Sequence, residues 1–414
     1  MYNNHFSIGD EMPELSVKSK ALIEQENQFG AQNYKPLDVV CSKGEGVFLT
    51  DVDGNNYMDF LAAYSAVNQG HNHPYIAEAM IQQIRKLALT SRAFRNDAFP
   101  PLLEKLCKLT GFDRALLMNS GAEAVETAIK AARKWAYDVK GVEYPKAEII
   151  AADGNFHGRT TTIVGFSTDP DSFGGFGPFT PGFKVVPYGD LKAAEEAITP
   201  NTAAIFMEPI QGEGGVVIPP RGFLKGLREL ADKHKCLLIL DEIQSGLGRT
   251  GKLFAFEHEG IRPDGVTIGK ALSGGFYPVS AFLSTKEVMG VFTPGIHGST
   301  YGGNPLACAV ASAALDVLVN EKLVERSCEL GAHFEQRLSG MKTDKVEEIR
   351  CIGLWAGVHI KASAGKARPY CYQLKDRGML CKDTHEQTIR LAPPLVITRE
   401  QIDWAVDQIE AVLA

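Results

Sequence analysis

Short runs of consecutive apolar residues recur through the middle of the chain. Strands that are buried on both faces of a parallel sheet are apolar at successive positions, and not only at alternate ones. These runs therefore predict six strands, at Ala115–Met118, Glu148–Ala152, Ala203–Met207, Cys236–Leu240, Gly265–Ile268 and Val279–Leu283.

Between the predicted strands lie segments whose apolar residues recur every three or four positions. This spacing is typical of a helix with one buried face. The clearest examples are Ala122–Tyr137 and Phe223–His234. Because strands and helices alternate along the chain, we predict an α/β domain.

The pattern changes after about Pro305. An alanine-rich helical segment is followed by short predicted strands at Val358–Ile360 and Ile389–Leu391, and then by a terminal helix with a buried apolar face. This change predicts a second, smaller α+β domain. The predicted parts are an N-terminal segment at 1–55 that contributes to the small domain, a large domain at 56–305 and a small C-terminal domain at 306–414.

The charge composition of the chain excludes few functions, but it disfavours some classes of binding partner. The chain has 414 residues, with 43 lysines and arginines against 50 aspartates and glutamates, and its net charge is −7. This acidic balance argues against nucleic acid or an anionic membrane as a partner. The longest stretch without a charged residue, Val288–Leu315, is broken by glycines and prolines, so we expect a loop and a buried helix and no membrane span.

The eight cysteines are scattered, and none of them forms a C-x-x-C pair. This spacing favours free thiols in a reducing compartment over a disulfide framework. The first 30 residues contain acidic side chains and no apolar core of a signal peptide. We therefore expect a cytoplasmic protein.

Two charged residues follow apolar runs where ligands bind in open α/β sheets. Asp241 ends the run CLLILD, and Lys270 follows the run GVTIG. Ligands of such sheets lie outside the carboxyl ends of the strands. A lone aspartate at such an end is most often a cap for the next loop. A lysine there is costly unless its charge is used or lost.

Together, Asp241 and Lys270 match the needs of pyridoxal phosphate. A carboxylate can keep a pyridine nitrogen protonated, and a desolvated lysine with a lowered pKa can form an imine with the aldehyde. A phosphate site should accompany them. The segment NSGAEA (119–124) stands between a predicted strand and a helix, so its amides would face an anion. Simple capping by Ser120 is the alternative.

Two further patterns have weaker interpretations. The segment GLGRTGK (246–252) resembles a phosphate-binding loop, but Leu253 stands where a serine or threonine should bind magnesium, so a nucleoside triphosphatase is only a remote alternative. His71 and His73 could suggest a metal. They lack a further ligand cluster, so we expect a turn and no metal site.

Seven segments, in chain order, resemble the motifs of the class III aminotransferases: GHNHP, NSGAEAVETAIKAAR, GNFHGRT, EPIQGEGG, LILDEIQSGLGRTG, GKALSGG and HGSTYGGNPLA. The resemblance extends from about Phe29 to the terminal helix. Members of this family are fold-type I pyridoxal-phosphate enzymes. The resemblance therefore implies a mostly parallel seven-stranded sheet flanked by helices, with a smaller α+β domain.

The resemblance assigns catalysis to Lys270, which would move the proton between substrate and cofactor, and to Asp241, which would pair with the pyridine nitrogen. Phe156 would stack on the cofactor ring, and His157 would lie at the pocket edge. Thr300 of a second subunit would complete the phosphate site, which implies a homodimer. The full set of implied cofactor contacts is Ser120, Gly121, Ala122, Phe156, His157, Glu208, Asp241, Gln244, Lys270, Ser299 and Thr300.

Five further segments are most similar to family members that transfer the δ-amino group of L-ornithine to 2-oxoglutarate: FGAQNYKPL, AYSAVNQGHNHP, TSRAF, GFGPFTPGF and IRLAPPLVIT. The products would be glutamate 5-semialdehyde, which cyclises to pyrroline-5-carboxylate, and glutamate. This likeness implies a ping-pong reaction that serves proline biosynthesis or arginine catabolism.

The same likeness implies the substrate contacts. Tyr34 and Arg159 would bind the α-carboxylate of ornithine, and Tyr64 would shape that pocket. Arg390 would bind the α-carboxylate of glutamate, while Arg159 takes the distal one. Glu213 would neutralise Arg390 while ornithine is bound, because an unpaired arginine would compete for the carboxylate.

Other functions remain open at this stage. Aminotransferases for N-acetylornithine or γ-aminobutyrate share the cofactor motifs, so those motifs do not separate the three. Tyr34 and Tyr64 favour free ornithine, since a hydroxyl placed for a carboxylate disfavours substrates that lack it. A non-catalytic ligand-binding protein on the same fold would lack the complete catalytic set.

Overall fold

The computed structural model describes residues 15–414. Its strands are β1 (Cys41–Glu45), β2 (Phe48–Asp51), β3 (Asn56–Asp59), β4 (Arg114–Met118), β5 (Glu148–Ala152), β6 (Phe183–Val186), β7 (Thr202–Met207), β8 (Leu237–Asp241), β9 (Gly265–Ile268), β10 (Ser280–Ser284), β11 (Val346–Cys351), β12 (Ala356–Ile360), β13 (Met379–Leu380), β14 (Lys382–Thr384) and β15 (Thr388–Leu391).

The helices are α1 (Val17–Phe29), α2 (Ala62–Ser65), α3 (Pro74–Lys86), α4 (Phe99–Thr110), α5 (Gly121–Trp135), α6 (Thr161–Val164), α7 (Pro170–Phe173), α8 (Leu191–Ala197), α9 (Phe223–His234), α10 (Lys286–Met289), α11 (Pro305–Asn320), α12 (Leu323–Ser339), α13 (Ala367–Asp376) and α14 (Arg399–Leu413). A π-helical turn, Ala136–Lys140, extends α5.

Seven strands form the central sheet, in the order β4-β10-β9-β8-β7-β5-β6. The pairs from β9 through β8, β7 and β5 to β6 are parallel, and β10 is antiparallel to both of its neighbours. The predicted α/β fold with a mostly parallel seven-stranded sheet is confirmed. All six predicted strands are present, to within one residue at each end.

The central strands are apolar at successive positions because both faces of the sheet are covered. Ile205 of β7 belongs to one hydrophobic core, and its neighbours Ala204 and Phe206 belong to another. The same alternation occurs in β8, where Leu238 faces the first core and Ile239 the second. Two cores on opposite faces hold the sheet in place, which fixes the positions of its strand ends.

Two smaller sheets lie outside the central one. The first pairs the N-terminal strands β1, β2 and β3 with β13, and the second has the order β11-β12-β15-β14. The predicted terminal helix is present as α14 and buries its apolar residues, which are Ile402, Val406, Ile409 and Leu413. The domain limits at 55 and 305 remain a prediction, and residues 1–14 of the first segment lie outside the described part of the chain.

Helix α11 explains the long stretch without charged residues. Most of its side chains are buried against α3, α4 and α12, so the helix needs no polar face. The predicted loop leading into a buried helix is confirmed. Within residues 15–414, no helix is long and apolar enough to cross a membrane.

Arg249 joins three distant segments of the chain. Its guanidinium is fully buried, and Nη1 donates to the carbonyl oxygens of Leu354 (2.8 Å) and Pro393 (2.7 Å). Nη2 donates to the side chain of Asn68. Burial lowers the pKa of Arg249 to about 9. The segment after β8 is thus fastened to the parts of the chain before and after it.

Candidate active site

Asp241 and Lys270 lie at the same edge of the central sheet. Asp241 is the last residue of β8, and Lys270 follows the end of β9 by two residues. The two strands are parallel neighbours, with Asp241 opposite Thr267. Because parallel strands end at a common edge, the sheet brings the carboxylate and the amine to one place.

Three partners fix the carboxylate of Asp241. Oδ1 accepts from Thr267 Oγ1 and from the backbone N–H of Ile243, each at 3.0 Å, and Oδ2 lies 2.7 Å from His157 Nδ1. The side chain of Asp241 is buried, so its charge is screened little by solvent. A buried carboxylate in a fixed orientation is suited to hold a cationic ring.

The structure differs from the expectation that His157 lies at the pocket edge. Its side chain is fully buried and packs against Phe206, with ring centroids 4.5 Å apart. Nδ1 contacts Asp241, while Nε2 has no hydrogen-bond partner. The sequence places His157 next to Phe156 but does not show which of the two turns toward the sheet. The contact with Asp241 makes His157 a support for that carboxylate.

Lys270 stands in a strained and enclosed position. Its φ is +42°, a left-handed conformation that is uncommon outside glycine. The residue is half-buried, and this burial lowers the pKa of the amine, against the opposing charges of Glu213 and Asp241. A lowered pKa increases the fraction of neutral amine, which is the nucleophilic form.

The N-terminus of α5 forms a close-packed turn beside Asp241. Ser120 caps the helix: its Oγ accepts from Glu123 N (3.3 Å), and Glu123 Oε2 accepts from Ser120 N (2.7 Å). A Cβ added to Gly121 would lie 3.1 Å from Ile243 Cδ1. Capping and anion binding are compatible here, because the amides of Gly121 and Ala122 lie in the first helical turn and have no intrahelical partner.

The loop of Ser299 reaches the same corner. Ser299 Oγ accepts from Asn119 Nδ2 at 2.9 Å, so the loop lies beside the residue that precedes the helix cap. Thr300 is exposed. Its side chain is therefore available at the surface of this chain.

Glu208 connects two loops around the cleft. Oε2 accepts from Phe156 N (3.0 Å) and Oε1 from Gly212 N (3.3 Å), and burial raises the pKa of Glu208 to about 7. Gln244 lies next to Gly212, where an added Cβ would come within 2.2 Å of Gln244 Oε1. Gln244 Nε2 is buried and has no hydrogen-bond partner.

Arg390 is held in a closed ion pair. The side chain is 1% exposed, and Nη1 lies 2.7 Å from Glu213 Oε1, while Nε and Nη2 have no partner. The ring centroid of Tyr64 lies 4.9 Å from Arg390 Cζ. Burial alone would raise the pKa of Glu213, but the charges of Arg390 and Lys270 together lower it. The structure thus brings together Glu213, Arg390 and Tyr64.

The other two substrate candidates are not brought together. Arg159 is exposed, with Cζ 5.6 Å from the Phe156 ring centroid and Nη1 3.4 Å from Ser172 Oγ. Tyr34 is 72% exposed, on the extended segment before β1. Among the described residues, Tyr34 has no hydrogen bond or ring contact with Arg159.

Tyr64 lies in α2, which is a single turn with left-handed backbone and not a regular α-helix. The four residues 62–65 all have positive φ, between 46° and 70°. Asp59 supports this turn, since its Oδ1 accepts from Leu61 N (2.8 Å) and Ala62 N (3.0 Å). Left-handed backbone costs about 1–2 kcal/mol per residue outside glycine. The turn could not be predicted from the sequence, because no glycine marks it.

His71 and His73 have protein partners. His71 Nε2 lies 2.7 Å from Asp59 Oδ2, and His73 Nε2 lies 2.9 Å from Glu321 Oε1. In residues 15–414 no group of histidine, cysteine or carboxylate side chains could hold a metal. His71 instead joins the support of the Tyr64 turn through Asp59.

The phosphate-loop interpretation of residues 246–252 is wrong. These residues form turns that lead into the 3-10 helix Ala255–Glu259, and no α-helix begins at the expected lysine. Arg249, in the middle of the segment, is buried and bonded to protein carbonyls. The segment serves packing, and the nucleoside triphosphatase alternative fails.

A half-buried lysine and a buried aspartate at adjacent strand ends of a mostly parallel seven-stranded sheet match the fold-type I class of pyridoxal-phosphate enzymes. Comparison with known proteins narrows this class. Residues 29–413 match the model of the family described as "Aminotransferase class-III". The chain belongs to the class III aminotransferase family, and its cofactor is pyridoxal phosphate.

Relatives and solved structures agree on the family. The ornithine aminotransferase of Bordetella pertussis is 58% identical over 389 residues, which cover 94% of each chain. The crystal structure of the ornithine aminotransferase from Toxoplasma gondii ME49 has a TM-score of 0.94 and 45% identity, over 97% of this chain and 96% of that one. An acetylornithine aminotransferase from Elizabethkingia anophelis has a TM-score of 0.86 and 49% identity, over 95% and 98%.

The residues at the sheet edge fit this cofactor. Gln244 Nε2 is a buried donor without a partner, as expected of a group that meets a ligand oxygen. Gly121 lets the first amides of α5 approach the loop after β8. Asp241 is a fixed carboxylate that would suit the ring nitrogen, and Lys270 is an amine with a lowered pKa that would suit the aldehyde.

Proposed function

We propose that this protein transfers the δ-amino group of L-ornithine to 2-oxoglutarate in a ping-pong reaction. The observation that carries the proposal is the ion pair of Glu213 with the buried Arg390, beside Tyr64. Ornithine would react through its δ-amino group, whereas 2-oxoglutarate would react at its α-carbon. An arginine that binds the α-carboxylate next to the reacting carbon of 2-oxoglutarate must therefore be covered while ornithine is bound. The relatives named ornithine aminotransferase support this choice of substrates.

We propose the following roles at the cofactor. When bound, pyridoxal phosphate supplies an aldehyde that takes up the amino group and a ring that withdraws electrons from the reacting carbon. Lys270 holds the cofactor and moves the proton at that carbon through Nζ. Asp241 keeps a proton on the ring nitrogen, and His157 and Thr267 hold its carboxylate in place.

The remaining cofactor contacts orient the ring. Phe156 would stack on one face, and Gln244 Nε2, a buried donor without a partner, would donate to the ring oxygen. Glu208 holds the loops that carry Phe156 and Gly212. The first turn of α5 and the 299–300 loop would bind the phosphate, through these residues: Ser120, Gly121, Ala122, Ser299 and Thr300.

Two arginines divide the substrates. Arg159 and Tyr34 bind the α-carboxylate of ornithine, with Tyr64 at the wall of the pocket, so the δ-amine reaches the cofactor. Glu213 covers Arg390 during this half-reaction. In the second half-reaction Arg390 binds the α-carboxylate of 2-oxoglutarate, and Arg159 binds the distal one.

We also propose a homodimer in which Thr300 of one subunit completes the phosphate site of the other. Exposed apolar side chains support an interface, since Tyr75, Ile84 and Phe94 are 55%, 53% and 71% exposed in the single chain.

A cytoplasmic location is proposed from the scattered free cysteines, and the domain division at residues 55 and 305 is kept as part of this proposal.

A substrate screen tests the function. The purified holoenzyme is mixed with ornithine, N-acetylornithine, γ-aminobutyrate or lysine, and the loss of the cofactor's visible absorption band is followed by stopped flow. We expect the largest kcat/KM with ornithine. A larger kcat/KM with N-acetylornithine or γ-aminobutyrate would assign that amine as the substrate and reject ornithine. Lys270→Ala is the unreactive control.

A further inference from the structure

Lys382 lies beside Arg390 and Tyr64, although no sequence motif includes it. It stands on β14 directly opposite Arg390 of β15. Its Nζ donates to the hydroxyl of Tyr64 at 2.9 Å and lies 5.3 Å from the ring centroid. Two cations, Arg390 and Lys382, therefore flank one tyrosine ring.

The strand that carries Lys382 also holds the backbone of Glu213. Thr384 Oγ1 donates to the carbonyl oxygen of Glu213. Residues two apart on a strand project to the same face, so Lys382 and Thr384 share a side of β14. The positive charge of Lys382 contributes, after Arg390 and Lys270, to the lowered pKa of Glu213. The Glu213 carboxylate thus lies in the field of Lys382 while its backbone is fixed.

The charges of Glu213, Arg390 and Lys382 balance only when a second carboxylate binds. In the closed pocket Glu213 carries one negative charge against the positive charges of Arg390 and Lys382. A substrate carboxylate on Arg390 brings the sum to zero. Without Lys382 the same step would leave two carboxylates on one arginine, and a partly buried carboxylate without a partner is costly.

We infer that Lys382 is the second partner of Glu213. When Arg390 takes the substrate carboxylate, the Glu213 side chain turns to Lys382 Nζ, and the bond from Lys382 to the Tyr64 hydroxyl is exchanged for this ion pair. Lys382 is a positioning residue that favours the dicarboxylate half-reaction. The inference rests on the proposed use of Arg390 by 2-oxoglutarate and glutamate.

The test compares half-reactions of the holoenzyme. Lys382→Met keeps the length of the stem and removes the charge. We expect kcat/KM with glutamate or 2-oxoglutarate to fall at least about tenfold, as for loss of a charged partner in an enclosed pair, while kcat/KM with ornithine changes less than about threefold. The dissociation constant of glutarate, a dicarboxylate without an amine, should rise by the same factor as the dicarboxylate reaction falls.

Three controls separate this role from others. Lys382→Arg should restore glutarate binding, since it keeps the charge. Lys366→Met removes a charge from the exposed pair with Glu386 and should change neither half-reaction. Tyr64→Phe removes the hydroxyl that Lys382 bonds. If Tyr64→Phe reproduces the selective loss of dicarboxylate binding, Lys382 acts through tyrosine and the inference is overturned.

Other outcomes are equally decisive. An equal loss of both half-reactions in Lys382→Met, an unchanged glutarate affinity, or a failure of Lys382→Arg to restore it would each overturn the inference. These results are distinct from failure of the proposed function. That failure would appear in the wild-type protein, as no preference for ornithine or no reaction with 2-oxoglutarate.

Discussion

Arg390 and Arg159 are both candidates for a substrate carboxylate, but their surroundings are opposite. Arg390 is buried on β15 and already holds Glu213 at 2.7 Å. Arg159 is exposed on a loop, and its contacts are a long hydrogen bond to Ser172 and the ring of Phe156. A carboxylate can reach Arg159 at once, whereas at Arg390 it must displace a carboxylate of the protein. The difference agrees with the proposal that Arg159 acts in both half-reactions and Arg390 in only one.

Lys270→Ala should have the largest effect, because both proposed substrates react at the cofactor that Lys270 is proposed to hold. Lys270→Ala deletes the group that holds the cofactor and moves the proton, and we expect the rate of either half-reaction to fall about a thousandfold or more. The measurement is single-turnover bleaching with ornithine and with glutamate. Retention of more than about a tenth of the wild-type rate would reject Lys270 as the catalytic amine.

Arg159→Leu should affect both substrates. The exposed Arg159 is proposed to bind a carboxylate of ornithine and one of 2-oxoglutarate, so we expect kcat/KM of both half-reactions to fall about a hundredfold, which is within the range for a hydrogen bond to a charged group. Arg159→Lys should recover part of it, because the charge returns without the planar fork. A loss confined to one substrate would break the proposed division between the arginines.

Glu213→Gln should slow the ornithine half-reaction and not the glutamate half-reaction. The substitution uncovers Arg390, so ornithine can bind in the wrong orientation. We expect kcat/KM with ornithine to fall about tenfold while that with glutamate holds or rises. The ratio of the two values is the measurement. Equal changes in both would mean that Glu213 only supports the fold.

Tyr34→Ile should have the smallest effect of the series. Tyr34 is 72% exposed, so substrate must order its side chain before the hydroxyl can bind a carboxylate. We expect the preference for ornithine over γ-aminobutyrate to fall about fivefold, which is within the range for one hydrogen bond. Tyr34→Phe is the matched control for the hydroxyl. An unchanged ratio of kcat/KM in both variants would remove Tyr34 from the substrate site.

Six of the seven strands of the central sheet could be predicted from sequence because they are apolar at successive positions. Asp241 and Lys270 could be paired for the same reason, since both follow such runs. Strand β6 was not predicted: it lies at the sheet edge, and Lys184 and Val185 leave only Val186 of its last three residues buried. The end of α5 was placed near Tyr137, whereas a π-helical turn continues to Lys140.

Contacts between distant segments could not be predicted from a single sequence. Lys382 and Tyr64 are 318 positions apart, and their contact depends on β14 pairing with β15 and on a left-handed turn without glycine. The position of His157 depends on the direction in which one loop turns. Motifs predict the residues proposed to carry the chemistry, while the residues that orient them become visible only in three dimensions.

The buried guanidinium of Arg249 has a consequence for the melting of the protein. It binds Asn68, Leu354 and Pro393, which lie 181, 105 and 144 positions away in the chain. If one of these segments moves away from Arg249, the buried guanidinium loses a hydrogen-bond partner, and an unpaired buried charge is costly. The regions before and after the central sheet should therefore lose their structure cooperatively, in a single calorimetric transition. Arg249→Met should divide that transition into two.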